Sequence, residues 1–368
     1  MTRCVEILDS TLREGEQTPG VTFTSDEKIE IANLLDDFGV DYIEGGHPAV
    51  SPDVKLGLER ICDQGYGAQI IAHSRLMRSD IDLVIDSGAD WIGLFMSVMG
   101  DRLKYDFRKD LDEVCTIIND GVEYAKEHGL KVRYTPEDTL RSDIQSVIRA
   151  AKSARDAGAD RISIADTVGA SNPDIIGKVV KRIGKEVGLP VNVHCHNDLG
   201  LALANSLAAI ENGATTVDTC VNGLGERAGI TDLSQFVLCL KTLYDYNGGW
   251  NLRLLSPLSE RVQSLSGFRI ADNAPVVGRN AFRHNAGLHV SATLKRPEFY
   301  EVFSAESLGR ERIFHLDKMS GRGLLGDILE RNEIKKDPNT LDKLYNLVKS
   351  REKGSFSESE LLEIARSG

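Results

Sequence analysis

The 368-residue chain lacks the features that mark membrane-spanning, secreted and nucleic-acid-binding proteins. It has no apolar run of the roughly 18 residues a membrane helix needs, and residues 1–6 lead into no apolar signal core. Its six cysteines (Cys4, Cys62, Cys115, Cys195, Cys220 and Cys239) include no C-x-x-C pair. That usage predicts reduced thiols in a cytoplasmic protein rather than a disulfide framework. No basic stretch offsets the formal net charge of −12, so no nucleic acid and no membrane surface is expected as a partner. A local arginine cluster can still oppose that field at an anionic small-molecule substrate.

What is present is a rhythm. Short β-branched runs at 4–8, 41–44, 68–72, 91–95, 131–135, 161–165, 191–194 and 216–220 alternate with helical patterns such as 25–38, 111–128, 144–157 and 172–187. Helix starts are signalled at Thr24-Ser25-Asp26-Glu27, Ser142-Asp143 and Asn172-Pro173-Asp174. One phrase recurs: Phe38-Gly39-Val40-Asp41, Ser87-Gly88-Ala89-Asp90, Ala157-Gly158-Ala159-Asp160 and Asn212-Gly213-Ala214-Thr215. Each closes a helix with glycine and leads into a strand. Eight such units predict an α/β fold, a (β/α)8 TIM barrel, over an open doubly wound sheet, whose early G-x-G-x-x-G turn is absent. Past residue 255 the rhythm breaks. The predicted organisation is a catalytic barrel over 1–255 and a smaller, mainly helical C-terminal region over 256–368.

In such barrels chemistry sits where strands end. Those ends carry Arg13, Glu14 and Gln17, then His47, then His73, then Arg133, Thr135, Glu137 and Asp138. Further on come Asp166 and Thr167, His194 and His196, and finally Asn222, Glu226 and Arg227. Four of the eight histidines thus share one rim. His194-Cys195-His196 is the sharpest metal signal, because alternate strand residues face the same side. Glu14 is the natural third ligand, since strand one closes next to strand eight, and open positions would remain for substrate. A plain pair of surface histidines is the alternative, and H-x-H alone does not decide between the two. Asp198 reads either as an acceptor for a ligand histidine or as a helix cap.

Asp9-Ser-Thr-Leu-Arg-Glu-Gly-Glu-Gln17, His194-Cys-His-Asn-Asp198, Gly223-Leu-Gly-Glu-Arg227 and His284-Asn-Ala-Gly-Leu-His289 together resemble the 2-isopropylmalate/homocitrate/citramalate synthase family. The resemblance runs from about residue 4 to 325. It implies a metal-dependent Claisen condensation of acetyl-CoA, as co-substrate, with a 2-oxo acid. Arg13 is implied as catalytic arginine, and Glu14, His194 and His196 as ligands of a divalent metal (zinc, manganese, magnesium or cobalt). Glu137 and His289 are implied in enolising acetyl-CoA, with Tyr300 assisting. A homodimer is implied, each C-terminal region serving the partner's site. Outside that resemblance, His289 and Tyr300 read as ordinary structural residues.

Within the family three features lean to the homocitrate-forming branch, which uses 2-oxoglutarate in the first step of lysine biosynthesis. Arg133 can bind a second carboxylate; its alternative is an ion pair to Glu137 or another rim acid. Ile230 stands where isopropylmalate synthases carry an asparagine. The segments 43–52 and 72–75 resemble those of the homocitrate-forming branch, which implies that His47 and His73 help read the same carboxylate, with Gln17, Thr135 and Thr167 as further substrate contacts. Asn285, beside the catalytic histidine position, departs from the usual pattern. Other 2-oxo acids (2-oxoisovalerate, pyruvate, oxaloacetate) and a catalytically silent paralogue are the rival readings. A lyase is disfavoured, since the loop Asn222–Arg227 lacks that group's cysteine.

Overall fold

The computed structural model describes residues 5–367; Cys4, where the first strand was expected to begin, lies outside the described residues. Eight parallel strands close into a barrel in chain order: β1 Glu6–Asp9, β2 Tyr42–Gly46, β3 Gln69–Arg75, β4 Trp91–Ser97, β5 Lys131–Glu137, β6 Arg161–Asp166, β7 Val191–Cys195 and β8 Thr216–Thr219. β8 pairs with β1, with Leu8 opposite Asp218, and seals the ring. The helices between them are α1 Ser25–Phe38, α2 Pro52–Cys62, α3 Arg78–Ser87, the single turn α4 Gly100–Arg102, α5 Leu111–Glu127, α6 Ile144–Asp156, α7 Pro173–Val187, α8 Ala202–Glu211 and α9 Leu233–Leu243. The expected TIM barrel is therefore what the chain forms.

Local chemistry explains the boundaries. Thr24 starts α1 through a reciprocal capping box with Glu27, Asp143 caps α6 and Asn172 caps α7, as their side-chain oxygens take orphan N–H groups of the first turn. The recurring Gly-x-Asp phrase does more than end helices. Gly39 and Gly88 close α1 and α3 at φ 97° and 76°, a conformation that costs glycine nothing. The aspartate two residues on then brackets two strands. Asp41 Oδ2 accepts from Ile7 N at 2.8 Å, Asp90 Oδ2 from Ile70 N at 2.7 Å and Asp160 Oδ2 from Val132 N at 2.7 Å. Each aspartate thus ties the strand it precedes to the strand before it. In the fourth copy Thr215 has no carboxylate to accept from the earlier strand; its N–H and its Oγ1 donate instead to Val191 O, at 2.8 and 3.4 Å.

The barrel interior is layered. Near the N-terminal ends Leu8, Tyr42, Ile71 and Trp91 pack together, all nearly sealed from solvent, with the buried Arg161 guanidinium lying over the Tyr42 and Trp91 rings. Two residues further along the strands, where aliphatic side chains usually fill such barrels, stand Glu44, His73, Gly93, Arg133, Ser163, Asn192 and Asp218. The functional cavity rests on this polar layer.

The chain divides into two compact units, Met1–Arg269 and Ile270–Gly368. The division falls later than the expected 255, because α10 (Leu255–Ser266) packs on α1 and buries Leu255, Leu258 and Val262. The second unit is mainly helical. It comprises α11 Gly287–Thr293, α12 Arg322–Arg331, α13 Pro338–Ser350 and α14 Glu358–Arg366, with a two-stranded sheet of β9 Arg283–His284 and β10 Ile313–Phe314. Val290, Leu324, Ile328, Leu329, Leu344 and Val348 form its own core. Among the described residues no helix is long and apolar enough to cross a membrane, and Cys62, Cys115, Cys195, Cys220 and Cys239 are free.

Candidate active site

A cavity of about 250 Å³ opens at the C-terminal ends of the strands. Of the strand-end residues named from the sequence, Arg13, Glu14, Gln17, His47, His73, Arg133, Thr135, Glu137, Thr167, His194 and His196 line it, while Asp138, Asp166, Asn222, Glu226 and Arg227 do not. Phe95, Ser163, Ala165 and Asp218 complete the wall.

Glu14, His194 and His196 converge, each with one ligand-capable atom within 4.8 Å of the others. The two Nε2 atoms are 3.3 Å apart, and the Glu14 oxygens stand 3.8 and 3.9 Å from them. β7 explains the pair, for His194 lies on the strand and His196 just past it, so both rings face inward. Asp218 accepts from His194 Nδ1 at 2.9 Å. A carboxylate only accepts, so the proton sits on Nδ1 and the Nε2 lone pair points at His196 and Glu14, as in histidines that hold metals. Burial, then His194, pushes His196 down to about 4, which leaves it a neutral imidazole at pH 7. Burial alone would raise Glu14, but the Arg13 guanidinium beside it outweighs burial and holds the carboxyl below its usual range. Counting Arg13 and Arg133 against Glu14, Glu44 and Asp218 leaves one net negative charge. Donor set, tautomer and charge all fit a divalent cation.

Below this triad lies Glu44, a fully buried carboxylate. It accepts from Ser10 Oγ, from Arg13 Nε at 2.8 Å and from Arg133 Nη2 at 2.9 Å, while His73 Nδ1 stands 3.4 Å away. Desolvation would raise it, but Arg13 and Arg133 hold it well below the carboxylate range. Arg13 also donates to Glu14 at 2.5 Å, and the two acids keep its guanidinium charged despite burial. Arg13 thus reaches from the polar layer to the cation site.

Three expectations need correction. Arg133, expected as an inward arginine for a substrate carboxylate with an ion pair to a rim acid as the alternative, is almost sealed from solvent and bound to Glu44 and, at 3.4 Å, to Asp218. Only its Nε lacks a hydrogen-bond partner. Second, Glu137 is not its counter-ion, since Glu137 pairs with Arg102 Nη1 at 2.8 Å. Third, Asp198 neither supports a histidine nor caps α8. It is gripped by Arg227 at 2.8 and 2.9 Å, while Asn197 Oδ1 takes the Ala202 N–H.

The remaining residues fall as follows. His73 stacks on Phe95, ring centroids 4.5 Å apart, with His47 edge-on to it. Thr167 Oγ1 accepts from Asp138 N at 3.0 Å, Thr135 is buried on β5, and Gln17 is exposed. His289 and Tyr300 belong to the second unit, where their rings stack at 4.0 Å. Glu301 accepts from Arg312 Nε and Nη2 at 2.6 and 2.8 Å and so anchors the Tyr300 turn. Sequence reasoning missed Glu44 and Asp218. Their signal was parity, as each is a lone acid at an inward position of an otherwise uncharged strand.

Residues 4–262 match the HMGL-like family, and residues 276–354 match the homocitrate synthase post-HMGL domain-like family. A homocitrate synthase of Pyrococcus abyssi is 49% identical over 98% of this chain and 99% of its own length. The chain belongs to the HMGL-like family, on its homocitrate synthase branch. A second member of that branch, from Methanopyrus kandleri, is 40% identical over 98% of this chain and 92% of its own. Among solved structures, HMG-CoA lyases of Bacillus subtilis and Brucella melitensis align with TM-scores of 0.66 and 0.63 at 22% identity. They cover 75% and 73% of this chain and 97% and 100% of theirs, and they establish the fold alone.

Asp218→Asn should unlock the His194 tautomer and weaken divalent-metal affinity by about 10–100-fold; titration with metal checks this, and unchanged affinity refutes the orienting role. The acid limb of stability supplies a second check. Burial, then Arg13, pushes His73 from its ordinary 6.5 down to about 4, and burial moves His47 in the same direction. Between those values the unfolded chain binds a proton that the native one does not, so stability falls as pH drops. Denaturant unfolding at about pH 7 and about pH 5 should show a smaller loss in His73→Leu than in the parent chain. Equal losses would show that His73 does not carry this dependence.

Proposed function

We propose that the chain condenses acetyl-CoA with 2-oxoglutarate and water to give homocitrate and free CoA. One observation carries the reading: a single cavity holds both a three-residue cation site and a buried guanidinium with an unpartnered Nε. A 2-oxo diacid has matching groups, a keto-carboxylate at one end and a carboxylate at the other. The 49% identity to the Pyrococcus abyssi homocitrate synthase supports the same substrate.

Glu14, His194 and His196 would hold the divalent metal, which when bound polarises the keto carbonyl as a Lewis acid. Arg13, charged and fixed by Glu44, offsets negative charge growing on that oxygen. Arg133, His47 and His73 meet the distal carboxylate, and Thr135 and Thr167 orient the chain between the ends. A branched alkyl substrate would leave the buried Arg133 Nε without an acceptor, which is costly. His289 takes a proton from the acetyl methyl group, with Glu137 and Tyr300 holding the thioester and the proton's path. The new carbon–carbon bond forms at the keto carbon, and hydrolysis of the thioester then releases CoA.

The proposal extends to assembly. The second unit of one protomer serves the barrel of its partner in a homodimer.

A thiol-release assay with a divalent metal, acetyl-CoA and each of 2-oxoglutarate, 2-oxoisovalerate, pyruvate and oxaloacetate tests the substrate. CoA release is expected chiefly with 2-oxoglutarate, and Arg133→Ala should lower kcat/KM for it by about two orders of magnitude or more, as loss of a buried hydrogen-bonded charge does. Preference for another acid would overturn the specificity, and no release with any acid would overturn the activity. Assembly is tested by mixing Glu14→Gln with His289→Asn, each inactive alone. Subunit exchange should restore about a quarter of parental activity if sites are shared across a two-fold dimer. No recovery in demonstrated hybrids would place both residues in one protomer's site.

A further inference from the structure

We infer that Gly93 sets the depth of the 2-oxo acid cavity and hence the length of diacid the barrel accepts, an inference that rests on the function proposed above. Gly93 lies on β4 opposite Arg133 of β5. It occupies the inward position between Trp91, in the layer below, and Phe95, on the cavity wall. Its backbone does not need glycine, because it is absent from the positive-φ positions. Space is what it supplies. A Cβ at Gly93 would stand 2.9 Å from Arg133 Nη2, 3.4 Å from Nε and 3.5 Å from Cζ. The guanidinium therefore lies against the bare Cα.

The surroundings leave a displaced guanidinium one way to go. Below it Leu8, Tyr42, Ile71 and Trp91 are packed together, and the buried Arg161 guanidinium already lies over the Tyr42 and Trp91 rings at 4.7 and 4.8 Å, so a second cation moved there would meet a like charge. Glu44 and Asp218 hold Nη2 and Nη1 at 2.9 and 3.4 Å and resist sideways displacement. A methyl group at 93 must push Arg133 toward the barrel mouth. That shortens the space between its Nε and the Glu14–His194–His196 triad.

The test compares kcat/KM for oxaloacetate, 2-oxoglutarate and 2-oxoadipate in the metal-loaded parent enzyme and in Gly93→Ala. The oxaloacetate to 2-oxoglutarate ratio should rise about tenfold or more, chiefly through KM, since one methylene of misfit in a closed pocket discriminates on that scale. A ratio within one preparation is independent of the folded fraction, and a merely destabilised site would lower both values together. Arg133→Lys, with its slimmer head, opens the same floor and should raise the 2-oxoadipate to 2-oxoglutarate ratio. Unmoved ratios in an enzyme whose parent turns over 2-oxoglutarate overturn the inference alone. A parent that ignores 2-oxoglutarate overturns the proposed function, and the inference with it.

Discussion

Glu44 sits fully buried in the barrel, gripped by Arg13 on one side and Arg133 on the other. Neither guanidinium could be buried alone, because an unpaired charge in that environment costs far more than packing returns. Nor could Glu44, which desolvation would otherwise drive to the neutral form. The three define one another's positions, and through Asp218 the constraint reaches His194. Removing one member of such a cluster typically costs about 3–5 kcal/mol, because the partners are left charged and dry. The barrel thus gives up aliphatic packing in its middle layer for side chains that cannot wander.

That rigidity suits the chemistry above it. Arg13 and His194 each have one face locked by a carboxylate and the other turned to the cavity. A group that does not need to reorganise as charge develops stabilises it most effectively. The layer of Leu8, Tyr42, Ile71 and Trp91 contributes by closing the floor beneath the ion cluster.

Much of this was legible beforehand, and the reasons are physical. Strand and helix positions followed from period and caps, and several helices begin where a single side chain, such as Thr24 or Asn172, ends the ambiguity. Glu14, His194 and His196 were found because strand parity and barrel closure together bring three distant positions to one side. Glu44 and Asp218 escaped because attention to strand ends favours residues at the rim, and these lie one layer beneath it. Arg133 was placed at the right site with the wrong neighbours, since sequence cannot tell which of several acids on other strands a long side chain will reach. Asp198 was misassigned for the opposite reason. Adjacency to His196 suggested partnership, whereas Asp218, twenty-four residues from His194, makes the bond. His289 and Tyr300 carry no such local signal, and only resemblance singled them out.

The aspartate brackets at Asp41, Asp90 and Asp160 have a bearing on how the barrel comes into being. Each laces an odd-numbered strand to the even-numbered strand that follows, so its contacts span 34, 20 and 28 residues of chain. Loop closure over such short spans is cheap compared with joining β1 to β8. Three of the four consecutive strand pairs, β1–β2, β3–β4 and β5–β6, therefore carry a short-range tie that sets their register locally. Only the final stitch between first and last strands must wait for the whole sheet.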